Sequence, residues 1–182
     1  MFDNERACYK LTSWLIEHGH RRIAYAIGDM GLRHGPLVAR IAGYEKALRD
    51  HGLQEDPSLA PHYHHGDRDA IRAICDDFAR MEPGPTALIA TDDMAAVECI
   101  ERFAELGVRV PEDVYVAGFD DREETRRLKH QFSTTRPDFE RMGESACEEL
   151  VRLISGGTRP DRTFVYDVPL VIRRHGAIRA AD

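Results

Sequence analysis

The sequence predicts an α/β fold, a Rossmann-like parallel sheet with helices on both faces. Three observations predict it. Short apolar runs alternate with amphipathic stretches through the middle of the chain, the order that gives parallel strands joined by helical crossovers. Two of those runs, LIATDD over Leu88–Asp93 and VYVAGFDD over Val114–Asp121, stop on acidic residues. Read as buried strands, both set carboxylates just beyond the carboxyl end of the sheet, the edge where open α/β sheets hold ligands. Arg40 then follows a third strand and a Gly-rich loop, in the first half of a helix.

The elements follow in order from their periodicity. Asn4–His18 carries Ala7, Leu11, Trp14 and Leu15 at helical spacing, with Gly19 as its stop. Arg22–Gly28 is a strand. Val38–His51 is a helix with Ile41, Tyr44 and Leu48 on one side, closed by Gly52. His62–His65 is a short strand candidate, and Arg68–Met81 is a helix bearing Ile71, Ile74, Cys75 and Phe78. Pro83-Gly84-Pro85 ends that helix. Thr86–Thr91 is a buried strand, and Asp92 or Asp93 caps the helix Met94–Leu106. Val114–Phe119 is the next strand, followed by a charged stretch, Arg122–Leu128, that reads as a solvated helix. Asp138–Ile154 is amphipathic, and Thr163–Arg174 alternates as one or two strands. The first and last helices have apolar faces but no sheet of their own, so the chain is expected to be a piece of something larger.

The bulk numbers bound the function. At 182 residues the chain is long enough for one domain with a full core, and 42% apolar with 31% charged residues is ordinary for a soluble fold. A net charge of −7 argues against this chain gripping nucleic acid by itself, since DNA-contacting faces are basic. No apolar run nears the roughly 20 residues of a membrane span. The start, MFDNERACYK, has no apolar h-region, so a cytoplasmic location is expected. Cys8, Cys75, Cys99 and Cys147 are far apart, lie in helical patterns, and read as free buried thiols.

Several chemistries are set aside on the residues. His62, His64 and His65 cluster, but no cysteine or carboxylate pattern completes a zinc set, so no metal is expected. Gly28-Asp-Met-Gly31 is not a GxGxxG loop, so no dinucleotide cofactor is indicated. The pairs Asp92/Asp93 and Asp120/Asp121 lack a nucleophile elbow, P-loop or metal triad, so the chain is not expected to be an enzyme.

Five segments in order are similar to one known family. Ile16–Ala24 (IEHGHRRIA) resembles the "LI-x-x-GHRRIA" signature of the lactose-repressor/galactose-repressor (LacI/GalR) family. Arg40–Tyr44 (RIAGY) resembles its arginine–glycine helix. Pro85–Ala87 leading to Asp92–Ala95 is similar to its "PTA…ND-x-MA" segment. Gly107–Val114 with Gly118–Asp121 is similar to "G-x-x-VP-x-DV-x-V-x-G[FY]DD", and Thr134–Gly143 to its crossing into the last helix.

The resemblance implies a periplasmic-binding-protein-like (type I) core, in which two Rossmann-like subdomains clamp a sugar or another small metabolite and reset an amino-terminal helix-turn-helix. It implies that residues 1–18 are a helix of a truncated first subdomain and 19–135 a nearly complete second one. Residues 136–155 would be a helix returning to the first, and 156–182 a return to the second. Operator DNA would be bound only through a domain absent from this chain. A homodimer would form through faces near Ala70, Ala95–Cys99 and Glu124–Lys129. The alternative of the same fold is the periplasmic sugar-binding protein of a transporter.

The same resemblance assigns ligand contacts residue by residue. Arg40 and Asp120 match the family's effector-holding arginine and aspartate, and their chemistry suits it: a rigid fork of donors and a carboxylate that accepts two hydroxyls. Thr91 and Asp92 straddle the place of the family's asparagine, because this strand is one residue shorter. His65 falls where the family stacks an aromatic ring on the ligand. Trp14 reads as core, or as surface facing the other subdomain.

Overall fold

The computed structural model describes residues 1–29, 35–126, 132–158 and 163–173. Four parallel strands, β1 (Ile23–Asp29), β2 (His62–His64), β3 (Ala87–Ala90) and β4 (Tyr115–Ala117), form a sheet in the order β2-β1-β3-β4. Strand order reverses direction between β1 and β3, so the ligand crevice of such a sheet belongs outside the carboxyl ends of those two strands. The sequence predicts each strand in place, with ends shifted by a residue or so.

The strands are short and almost wholly buried because both faces are covered. Ile23, Tyr25, Ile27, Ile89 and Tyr115 point to one core, shared with α1 (Asn4–Glu17) and α2 (Gly35–Asp50). Ala24, Ala26, Leu88, Ala90 and Val116 point to the other, shared with α3 (Arg68–Arg80) and α4 (Asp93–Glu105). Alternation along each strand thus assigns its side chains to two layers.

The first helix departs from expectation. The sequence sets Asn4–His18 apart from this sheet, whereas α1 buries Ala7, Cys8, Leu11, Leu15 and Ile16 against α2 and the sheet. Gly43 makes this possible: a Cβ there would collide with the Glu5 backbone carbonyl, so only glycine lets the two helices cross so closely. Trp14 is partly buried beside this core, its ring 5.6 Å from that of Tyr115.

Beyond β4 the chain runs through α5 (Glu123–Arg126) to β5 (Thr134–Thr135), which pairs antiparallel with β6 (Leu170–Val171). Among the described residues of the expected 163–174 tail, β6 is the regular strand, and Tyr166 adds a bridge to Phe2. The rest of the expected Arg122–Leu128 helix lies outside the described residues, as do Gly31 and the dimer-face residues after Arg126. α6 (Phe139–Ile154) is capped by Asp138 and buries no residue at all. Cys147 is therefore exposed, not buried as the sequence suggests, while Cys8, Cys75 and Cys99 are buried free thiols. Burial pushes the Cys8 thiol up to about 12, which leaves it unreactive. Among the described residues, no helix is long and apolar enough to cross a membrane, and no group of histidine, cysteine and carboxylate side chains could hold a metal.

Candidate functional site

The carboxyl ends of β1, β3 and β4 open onto a cleft of about 350 Å3. Arg40, His65, Thr91, Asp92 and Asp120 all line it. These five residues, far apart in sequence, meet in one place because each lies in a loop after a strand of the same parallel sheet or in the first turns of the helix that follows. Phe2, Asn4 and Phe139 close the cleft from the side of α1 and α6.

Arg40 lies at its centre. The guanidinium donates from Nε to Asn4 Oδ1 (2.9 Å), from Nη1 to the Thr91 carbonyl (2.9 Å) and from Nη2 to Asp120 Oδ1 (3.2 Å). Its carbon stands 4.0 Å from the centre of the Phe119 ring, a cation–π contact at the end of β4. The ion pair with Asp120 is partly shielded from water, the two side chains being 15% and 29% exposed. Arg40 is thus held on four sides before any ligand arrives.

Asp120 sits at an unusual backbone position. Its φ is 94° and that of Asp121 is 47°, both in the left-handed region that non-glycine residues seldom occupy. The strain is held by the Asp120 N–H on the Thr135 carbonyl (3.0 Å) and by the anchoring of Asp121. Asp121 is fully buried, with Arg173 and Arg136 donating to it and Arg126 at 3.1 Å. Burial raises its carboxyl, but the Arg173 and Arg136 hydrogen bonds outweigh that and hold it below its ordinary value. One aspartate of the pair faces the cleft, and the other fastens its neighbour to β5 and β6.

The Asp92/Asp93 pair divides in the same way. Asp92 is the α4 cap: Oδ1 accepts from Ala95 N–H (2.8 Å), while Oδ2 meets His65 Nε2 at 2.7 Å. Asp93 turns inward, accepting from Thr134 Oγ1 (2.6 Å), Arg122 N–H (2.7 Å) and Thr125 Oγ1 (3.0 Å). Burial pushes its carboxyl up to about 6 despite those donors, and nearby Asp120 adds to the rise. Gly118 makes room, since a Cβ there would lie 2.5 Å from Asp93 Oδ1.

Thr91 is buried, and its hydroxyl accepts from Gly28 N–H (3.2 Å). Its contribution to Arg40 is its carbonyl rather than its side chain. His65 is half-buried and bound edge-on to Asp92, while His62 and His64 point to solvent from β2. Sequence reading missed Asn4 and Phe119. The only available signal was that Asn4 opens the first helix and Phe119 immediately precedes the acidic pair.

The chain and its fold have known counterparts. Residues 12–175 match the periplasmic binding protein-like domain. The chain is 30% identical over 171 residues to the HTH-type transcriptional repressor PurR of Vibrio atlanticus, covering 94% of this chain and 50% of that protein. It is 31% identical over 176 residues to the HTH-type transcriptional regulator CelR of Thermobifida fusca, covering 96% and 50%. A solved transcriptional regulator CelR–cellobiose complex superposes with a TM-score of 0.84 at 29% identity, over 96% of this chain and 53% of that one. The chain spans about half the length of these curated relatives. These relatives are an HTH-type transcriptional repressor and an HTH-type transcriptional regulator, and the chain itself belongs to the periplasmic binding protein-like domain family.

Proposed function

We propose that the chain is the effector-sensing part of a LacI-type transcription regulator, and that its effector is a small uncharged polyhydroxylated molecule, a sugar. The observation that carries this reading is the convergence of Arg40, Asp120, Asp92 and His65 on one cleft at the strand-order reversal. Paired donors and acceptors suit hydroxyl groups, each of which both donates and accepts. Because Asp120 already matches the charge of Arg40, the cleft offers little net attraction to an anion. The CelR structure holds cellobiose, which supports a sugar here. The regulators among the relatives support a site that binds without catalysing.

In this reading residues 19–135, with β6, form one subdomain, and residues 136–155 lead to a second that completes the clamp. DNA is contacted elsewhere in the regulator, consistent with the net charge of −7, and the protein works in the cytoplasm. A transporter's binding protein would share the fold, but the regulators among the relatives support the first reading.

The regulator acts as a homodimer through α3 and α4. A groove of about 300 Å3 between the starts of these helices exposes Met94 beside half-buried Ala95 and Val97, over the buried Ile71, and is rimmed by Arg68 and Glu101. Exposed apolar surface of this kind marks interfaces. Sedimentation at micromolar concentration should show a dimer that Val97→Asp dissociates; a variant that stays dimeric would move the interface elsewhere.

The effector reading is tested by calorimetry on the intact regulator with neutral mono- and disaccharides, cellobiose included. Arg40→Ala and Asp120→Ala should weaken binding by about tenfold to over a hundredfold, the consequence of leaving ligand polar groups unpaired. Arg80→Ala, on the exposed face of α3, should not. If both cleft variants bind like that control, the site is misplaced.

A further inference from the structure

We infer that Asn4 is a positioning residue for Arg40, and that it sets which guanidinium donors a ligand can reach. The inference rests on reading the cleft as the effector site. A guanidinium carries five N–H donors in a rigid fork and no acceptor. Three are already engaged, by Asn4 on Nε, Thr91 on Nη1 and Asp120 on Nη2. One N–H remains on each Nη. Arg40 is thereby reduced to a two-donor group, which fits two neighbouring oxygens on one side of a ligand.

The Nε contact is the one that depends on a side chain from outside the sheet edge. Thr91 and Asp120 end their strands and come to Arg40 with the sheet. Asn4 reaches it from the first turn of α1, across the close helix crossing that Gly43 permits. Arg40 and Gly43 are three residues apart, on one face of α2. The amide orientation follows from its partners: Oδ1 must face a guanidinium that only donates, while Nδ2 donates to the Phe2 carbonyl (3.2 Å). Without Asn4, Nε–H would lack its acceptor in a cleft where the Arg40 side chain is only 15% exposed. The fork could then swing and offer a third donor to whatever binds.

Asn4 also lines the cleft, so a direct ligand contact is the competing explanation, and the experiment separates the two. The first measurement needs no ligand: solvent exchange of the Arg40 Nε–H, followed by nitrogen-15 NMR and assigned by its disappearance in Arg40→Lys. Protection should be lost in Asn4→Ala and regained in Asn4→Asp. Asp restores the acceptor for Arg40 but not the donor to Phe2, so its rescue isolates the Arg40 contact. Unchanged protection in Asn4→Ala overturns the inference. The second is affinity of the intact regulator for the sugar of the same neutral panel that binds it best. Asn4→Ala should weaken it by about tenfold and Asn4→Asp by no more than about threefold. In an Arg40→Ala background, Asn4→Ala should change nothing further; an additional loss there would mean that Asn4 touches ligand itself and would overturn positioning. If Arg40→Ala leaves sugar binding intact, the effector-site reading fails, while the exchange measurement still judges Asn4.

Discussion

Helices α1 and α6 carry nearly the same message in sequence and meet opposite fates. Both are amphipathic, 14 and 16 residues long, and each is capped by an aspartate, Asp3 or Asp138, that accepts from the backbone three residues on. α1 buries seven residues and α6 none. In α6, Phe139, Leu150, Val151 and Ile154 are all more than half exposed, and Leu150, with Met142, Leu153, Met1, Phe164 and Tyr166, borders an open hollow. An apolar stripe records that a helix needs a partner; it does not say which surface supplies it. α1 finds its partner in α2, through a glycine placed far away in sequence. Among the described residues nothing comparable covers α6.

The largest expected effect breaks the α1 side of this comparison. Gly43→Ala would drive a methyl group into the Glu5 carbonyl, which is backbone and cannot rotate away. The helices must separate, at a cost of about 3 kcal/mol or more in stability, with Arg40 drawn off Asn4 at the same time. Urea denaturation of wild type and variant measures it. A change below about 1 kcal/mol would mean that the crossing is looser than it stands here.

That crossing also marks the limit of what the sequence discloses. The strands and their acidic ends are legible, because a run such as LIATDD states both burial and where burial stops. Arg40 and Asp120 are legible as neighbours at one sheet edge through the motifs around them. Their mutual ion pair is not, nor is the division of labour within each aspartate pair. Asp92 and Asp93 are chemically identical neighbours, and only the direction of the chain as it enters α4 sends one to the cap and the other to Thr134. Asn4 is not legible for the same reason that the partner of α1 is not: a contact spanning 36 residues depends on which helix lies beside which, and periodicity is silent on that.

The second effect concerns how α6 is attached. α1 is held chiefly by apolar packing, which does not titrate, with one exposed ion pair from Lys10 to Asp167. The segment leading to α6 is held by Asp93 on Thr134 and Asp121 on Arg136, which does. Asp93 titrates near 6 in the folded protein against 3.8 for the ordinary carboxyl, so between those values the folded state binds more protons than the unfolded one. Stability from this group therefore stands in full below about pH 4 and falls as pH rises to 6. Asp121 runs the other way: its stabilisation is present above the ordinary value and is lost only as pH drops through its lowered folded value. The difference in urea midpoint between wild type and Asp93→Asn should change between pH 4 and 6.5 by the equivalent of about 1–3 kcal/mol. A pH-independent difference would show that Asp93 is not the titrating group.

The smallest effect sharpens the α6 side, and it has the opposite sign. Gly143 lies inside α6 with nothing within 4 Å of where a Cβ would be. A glycine in a helix interior is less favourable than alanine by about 1 kcal/mol, because it loses more backbone freedom on folding. Where Gly43 forbids a methyl group, Gly143 should welcome one. Gly143→Ala should therefore stabilise this chain by about 0.5–1 kcal/mol, a shift readable in thermal unfolding of the pair. The same substitution in a longer protein carrying the proposed second subdomain asks what covers α6 there. If the gain persists, the Gly143 side of the helix stays open to solvent. If it reverses, another surface comes as close to α6 at Gly143 as α1 comes to α2 at Gly43, and the two helices differ only in where their partners lie along the polypeptide.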